Sequence, residues 1–235
     1  MAYSYSKKEI KEMCEKASKD MKSFYKAGFV NYKGRTKKTE EKKYYSEIIA
    51  EWLLKRIDRF NTIREVERSA SYNADHTGAL GERTNRTEEY VAKLLFNSKT
   101  DYDGIGRIID YQTPLKDPGG TENKGLGKID LLSRNDTKKC VYILELKKGS
   151  SDETMLRCVL ECYTYLRIIS KEKLFEDFNI PSDYDLKAAP LVYKNSVQYK
   201  EYIDPNRNNL HVLMNTLNVT PFFLEEKPTF EITEP

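Results

Sequence analysis

From Lys7 to Ala27 the apolar residues Ile10, Met13, Cys14, Ala17, Met21, Phe24 and Tyr25 recur at steps of three and four, the spacing of one face of an amphipathic helix. Gly28 is the expected stop, a short basic stretch runs from Tyr32 to Lys43, and a second helix turns Tyr44, Ile48, Ile49, Trp52, Leu53 and Ile57 inward. Residues 1 to about 62 are therefore predicted to be helical. Ser69 to Gly81 reads as a loop by composition, with Thr84 or Thr87 placed to cap a helix from Glu88 to Asn97. Ile108, Ile109, Tyr111, Thr113 and Leu115 suit a strand, and Pro118, Gly119, Gly120, Gly125 and Gly127 make a flexible connection. Strands are predicted at Gly127–Leu132 and Lys139–Lys147; Asn135 and Asp136 between them mark a turn over Ser133–Lys138 and hence an antiparallel hairpin. A helix follows from about Asp152 to Ser170, and Ala188–Tyr193 and Leu210–Met214 read as later strands. This order departs from regular βαβ alternation. It predicts an α/β fold, a mixed central sheet flanked by helices, in which a helical segment 1–65 packs on a domain spanning 66–235.

At 235 residues, 39% hydrophobic and 33% charged, with a mean hydropathy of −0.72, the chain can bury a sizeable core and does not depend on disulfides or metal for one. No apolar run approaches the ~20 residues that span a bilayer, and Met1 to Lys8 lack the apolar core of a secretion signal, so a cytoplasmic location and no membrane partner are expected. The four cysteines form no CxxC pair and the two histidines stand far apart, which argues against structural zinc; Cys158 and Cys162 are read as small buried apolar residues. Net charge is only +3. Its distribution is uneven: residues 1–60 hold 16 Lys and Arg against 9 Asp and Glu, and the remainder 24 against 28. A solvated helix surface and a phosphate-binding face account for that excess equally well.

One pattern carries chemistry. Asp130 follows Gly127-Lys128-Ile129, and 15 residues later comes Leu144-Glu145-Leu146-Lys147-Lys148. Strand alternation puts Glu145 and Lys147 on one face with Val141 and Ile143, with Leu144 and Leu146 opposite, and hairpin pairing can bring Asp130 near Glu145. Charges at half-buried positions are costly unless paired or bound to metal. Asp130, Glu145 and the backbone carbonyl of Leu146 offer the oxygen ligands that Mg²⁺ takes, and Lys147 stands where it can orient a nucleophile or stabilise developing charge.

This D…ExK arrangement on a hairpin, with a glutamate-bearing helix before it and a helix after it, resembles the PD-(D/E)XK nuclease superfamily, the restriction-endonuclease-like fold, over about residues 84–193 and extending towards Phe223. Tyr111-Gln112-Thr113-Pro114-Leu115 also resembles the strand ahead of the catalytic hairpin, whereas Ile129 stands where the family name has proline. The resemblance implies a metal-dependent phosphodiesterase acting mostly on DNA, with Asp130 and Glu145 as ligands of Mg²⁺, for which Mn²⁺ can substitute, and Lys147 as catalytic lysine. It also implies a helix-borne acid completing the metal site, for which Glu88 is preferred over Glu89 because it shares the face of Val91 and Leu95, and a polar contribution from Arg157 or Glu161 on the following helix.

Other signatures are weak. The glycines near 119–127 lack phosphate-loop spacing, Gly104-Ile105-Gly106 lacks the third glycine of a dinucleotide loop, and His76 and His211 have no GxSxG partner. The expectation is a Mg²⁺-dependent DNA endonuclease of a prokaryotic defence, mobile-element or repair system. The alternatives are a ribonuclease, or a catalytically silent nucleic-acid-binding or protein-interaction subunit on the same fold. Cutting both strands commonly takes two active sites, which is compatible with a homodimer.

Overall fold

The N-terminal helical periodicity divides in two. The computed structural model describes residues 4–37, 41–80, 87–118 and 125–235, and in it helix α1 spans only Lys7–Ala17. Ser6 and Glu9 start α1 with a reciprocal capping box, the Ser6 hydroxyl accepting the Glu9 N–H at 3.1 Å and the Glu9 carboxylate accepting the Ser6 N–H at 2.7 Å. The helix expected to continue to Ala27 instead closes at Ser18, and Asp20 caps a separate 3₁₀ segment, Met21–Lys26. Met21, Phe24 and Tyr25 stay buried there because positions three apart also align in a 3₁₀ helix. Further 3₁₀ segments at Gly28–Asn31 and Ile57–Thr62 flank α2, Tyr45–Leu54.

Helix α3, Thr87–Ser98, is followed by strands β1 (Asp101–Tyr102), β2 (Gly106–Pro114), β3 (Lys128–Asn135) and β4 (Cys140–Lys147). Thr84, one of the two proposed caps of α3, and Gly81, Gly119 and Gly120 lie outside the described residues. Then come α4 (Met155–Ile168), α5 (Lys171–Asp177), β5 (Asp185–Tyr193), α6 (Val197–Ile203), α7 (Asn208–Thr216), β6 (Phe222–Glu226) and β7 (Phe230–Thr233). The seven strands form one sheet in chain order: β1 to β4 are antiparallel neighbours, β4, β5 and β6 run parallel through helical crossovers, and β7 returns antiparallel. The fold is α/β with a mixed sheet.

Two local expectations are corrected. The β3–β4 turn is Asp136–Lys139 rather than Ser133–Lys138, because Ser133, Arg134 and Asn135 still pair with Tyr142, Val141 and Cys140. The Asn135 side-chain oxygen accepts the Lys138 N–H at 2.8 Å and Lys139 takes a positive φ of 46°, which closes the turn tightly. The segment Leu210–Met214, expected as a strand, lies in α7. Buried Glu47 of α2 accepts the N–H groups of Asn209 and Leu210 at 2.8 and 2.9 Å, and that carboxylate at the first turn stabilises a helix whose buried residues are Leu210, Leu213 and Met214.

Each face of the sheet has its own core. Val141, Ile143, Ala188 and Val192 pack under Leu156 and Val159 of α4, in a cluster that also takes in Ile10, Ile48, Trp52 and Phe60 of the N-terminal segment. On the other face Leu131, Leu144 and Leu146 meet Ala92 and Leu95 of α3, together with Ile108, Phe222 and Ile232. The sheet curls around this second core until its edges approach, giving it a barrel-like form: Gly104, beyond β1, lies against Phe222 and Glu234, where a Cβ would sit 2.7 Å from the Phe222 ring, and Lys138 pairs with Glu234. Among the described residues no helix is long and apolar enough to cross a membrane.

Candidate active site

The last β3–β4 pair at this end of the hairpin is Leu131 with Leu144, so Asp130 arrives level with Glu145 where the ladder opens. Beyond the last pair with β4, the Asp130 carboxylate accepts the Leu146 backbone N–H at 3.0 Å through Oδ2 and the Gln112 amide at 3.1 Å through Oδ1. Gln112 interrupts β2 with a φ of 52°. Glu145 and Lys147, two residues apart on β4, share a face, and the Lys147 ammonium lies 2.5 Å from Glu145 Oε1, 3.0 Å from Glu153 Oε2 and 3.6 Å from Glu161 Oε2.

Among the helix acids, Glu88 accepts the backbone N–H of Lys148 at 3.2 Å, which puts it at the end of β4, whereas Glu89 pairs with Lys93 at 3.1 Å. Glu161 touches Lys147 directly; Arg157 reaches the cluster only through Glu153, at 2.9 Å. Leu146 contributes its N–H to Asp130. Sequence reasoning missed three participants. Gln112 lay unexamined within the Tyr111–Leu115 stretch, Glu153 sits in the loop before α4 where no periodicity points to it, and Tyr165 donates to Glu161 at 3.1 Å from one helical turn beyond it. The histidines stand elsewhere: His76 Nδ1 is 2.8 Å from Asp110, and His211 Nε2 is 2.7 Å from the Tyr202 carbonyl.

Burial sets the electrostatics. It pushes the Asp130 carboxyl up to about 7, with Lys147 opposing the rise and Glu88 adding to it. Glu145 is also raised well above the usual carboxylate range, first by burial and then by the charges of Asp130 and Glu161. Burial works against the Lys147 ammonium, but Glu145 and Glu161 outweigh it and hold the group protonated. The thiols of Cys158 and Cys162 are pushed up by burial in α4 and are inert.

Glu145, Glu153 and Glu161 thus ring Lys147, with Asp130 level with Glu145 and Glu88 at the end of β4, an excess of negative charge in a mostly buried place. An all-oxygen donor set of this sign suits a hard divalent cation. Among the described residues no three His, Cys, Asp or Glu side chains are gathered as a metal cage. Asp130 and Glu145 on adjacent strands, with the Leu146 backbone between them, offer the two carboxylates and backbone oxygen by which Mg²⁺ is commonly held together with water. Compared with known proteins, the chain matches no family model, no curated protein and no solved structure.

Proposed function

We propose that the protein is a metal-dependent nuclease of the PD-(D/E)XK type, hydrolysing phosphodiester bonds in DNA. One observation carries the reading: two carboxylates, the half-buried Asp130 and the buried Glu145, sit side by side on adjacent strands, both driven towards protonation, with the Lys147 ammonium on the same face. Groups in that state gain most from a bound cation. Asp130, Glu145 and the Leu146 carbonyl are the residues that would hold Mg²⁺ or Mn²⁺, with Glu88 at the end of β4 as the helix-borne acid proposed to complete the metal site around its waters; the ion would supply an acidified water and charge neutralisation at the phosphate.

The remaining roles fall to the chain itself. Gln112 and the Leu146 N–H fix the Asp130 carboxylate from two directions, so that its orientation is set before substrate arrives. Lys147 stays protonated in its ring of carboxylates and stabilises negative charge growing on a phosphoryl oxygen. Glu153 and Glu161 hold the lysine in place, and Tyr165 orients Glu161. We assign the activity to a DNA endonuclease of a prokaryotic defence, mobile-element or repair system, acting as a homodimer when both strands are cut.

The test is cleavage of supercoiled plasmid, single-stranded DNA and RNA by the wild type and Lys147→Ala, each with Mg²⁺, Mn²⁺ or EDTA. DNA cutting that requires metal and falls at least ~100-fold in Lys147→Ala supports the proposal. Cutting of RNA alone makes it a ribonuclease, and retention of DNA without any cutting makes it a silent binding subunit.

A further inference from the structure

Between α1, α2 and the segment carrying Thr36 and Lys43 lies a groove of about 880 Å³, well apart in sequence from the carboxylate cluster. Six cations, Lys7, Lys8, Lys11, Lys43, Lys55 and Arg56, line it against three carboxylates. Each of the six has a carboxylate within 4 Å, Lys43 pairing with Glu41 at 3.1 Å, but six cations share only four carboxylates, Glu12, Glu15, Glu41 and Glu51, which leaves a positive excess. Glu51 alone is shared by Lys55 at 2.7 Å, Lys7 at 3.1 Å and Lys11 at 4.0 Å, and Glu15 is shared by Arg59 at 2.8 Å and Arg56 at 3.6 Å. Lys8 meets Glu12 at 3.8 Å with both side chains mostly in water, a pair too screened to cancel its charge towards an anion. Two of the lining residues are fixed to each other: Thr36 donates its N–H to the Lys43 carbonyl at 2.9 Å and accepts the Lys43 N–H at 3.1 Å.

The floor distinguishes among ligands. Trp52 is 3% exposed, and Arg56 and Arg59 stand over its ring at 4.6 and 5.2 Å, so no aromatic face is open for a base to stack on. A partner is recognised here by repeated negative charge. The groove is also tied to the carboxylate cluster. Lys33 pairs with Asp152 at 3.3 Å and the Asn31 side chain accepts the Thr154 N–H at 2.7 Å, both on the loop that follows Lys147.

We infer that the α1–α2 groove holds the sugar–phosphate backbone of duplex DNA, the same duplex on which the Asp130–Glu145–Lys147 cluster acts. The inference rests on the nuclease reading for its choice of partner, and it explains why the basic excess of the chain is concentrated in residues 1–60.

The experiment is fluorescence anisotropy of a labelled 30-base-pair duplex in EDTA, where no cutting occurs, across a salt series. It compares wild type, the groove triple Lys8→Gln, Lys11→Gln, Lys43→Gln, and a control triple outside the groove, Lys187→Gln, Lys200→Gln, Lys227→Gln, with circular dichroism melting to verify that all three fold. The groove triple is expected to raise Kd by about 10- to 100-fold near 0.1 M salt and to lower the slope of log Kd against log salt by about 2 to 3, while the control leaves both unchanged. Unchanged binding by the groove triple, or an equal loss in both triples, overturns the inference. So does equal competition by polyglutamate of matched charge, which would make the groove a protein-docking surface. Because binding is read without metal, a protein that binds through the groove yet never cuts defeats only the nuclease reading, and one that cuts while the groove triple binds normally defeats only the groove.

Discussion

Asp130 joins burial, charge and the proposed chemistry in one side chain. Its folded pKa of about 7 lies above the ordinary 3.8, so the folded state binds a proton that the unfolded chain releases on passing pH 4. Its contribution to stability is thus full below about pH 4 and is lost as pH rises through about 7. In metal-free protein Tm should fall by several degrees between pH 5 and 8, and Asp130→Asn should flatten that slope. At pH 8, Mg²⁺ should raise the Tm of the wild type and leave that of Asp130→Asn unmoved. A wild-type Tm that climbs over this window, read by differential scanning calorimetry, would count against the assignment. The neighbouring glutamates offer a second test. Glu88 touches the end of β4 and Glu89 touches Lys93, so Glu88→Gln should slow cleavage by about 10- to 100-fold and Glu89→Gln should leave it within about twofold, in single-turnover assays. Helical spacing made Glu88 the better choice on sequence alone. Gln112 was illegible, because its role depends on a positive φ that turns it across to Asp130, and nothing in an isolated strand pattern encodes that turn.

At the scale of elements, periodicity located α3, α4, β2 and the β3–β4 hairpin, since each buries a stripe at its own repeat. It failed at α7, where five residues from Leu210 to Met214 are too few to separate a strand from a helix. The deciding groups lie 162 and 163 positions away, where Glu47 accepts the first N–H groups of the helix. Glu47→Ala should therefore destabilise the protein by about 2 to 3 kcal/mol in urea unfolding, far more than an exposed helical glutamate, because it strands two donors at a buried end. The β1–β2 turn gives an independent prediction. Gly106 has a φ of 73° and its α-carbon faces the Arg134 carbonyl so closely that any Cβ would overlap it. Gly106→Ala should cost at least about 2 kcal/mol by the same measurement, combining backbone strain with displacement of β3.

Over the whole molecule, the N-terminal segment and the sheet share one core, in which Ile10, Ile48 and Trp52 are clustered with Val159 and Leu213. Thr154, which caps α4 beside the candidate site, donates its hydroxyl hydrogen to the Val30 carbonyl at 3.0 Å. A fragment beginning at residue 63 should accordingly show no cooperative unfolding transition, checked by near-ultraviolet circular dichroism on heating; a sharp transition would mean the segment is a detachable arm. The amino-acid sequence by itself determined the α/β class, the helix–strand–hairpin–helix order and the placing of Asp130, Glu145 and Lys147 on one hairpin, because side-chain period and turn chemistry are local properties of the chain. Only the tertiary structure decided the curl of the sheet, the capture of Lys147 by Glu153 and Glu161, and the sharing of Glu51 among three lysines. Those features arise where segments distant in the chain meet, and their energies come from burial and from charges brought together by packing, neither of which a local pattern carries.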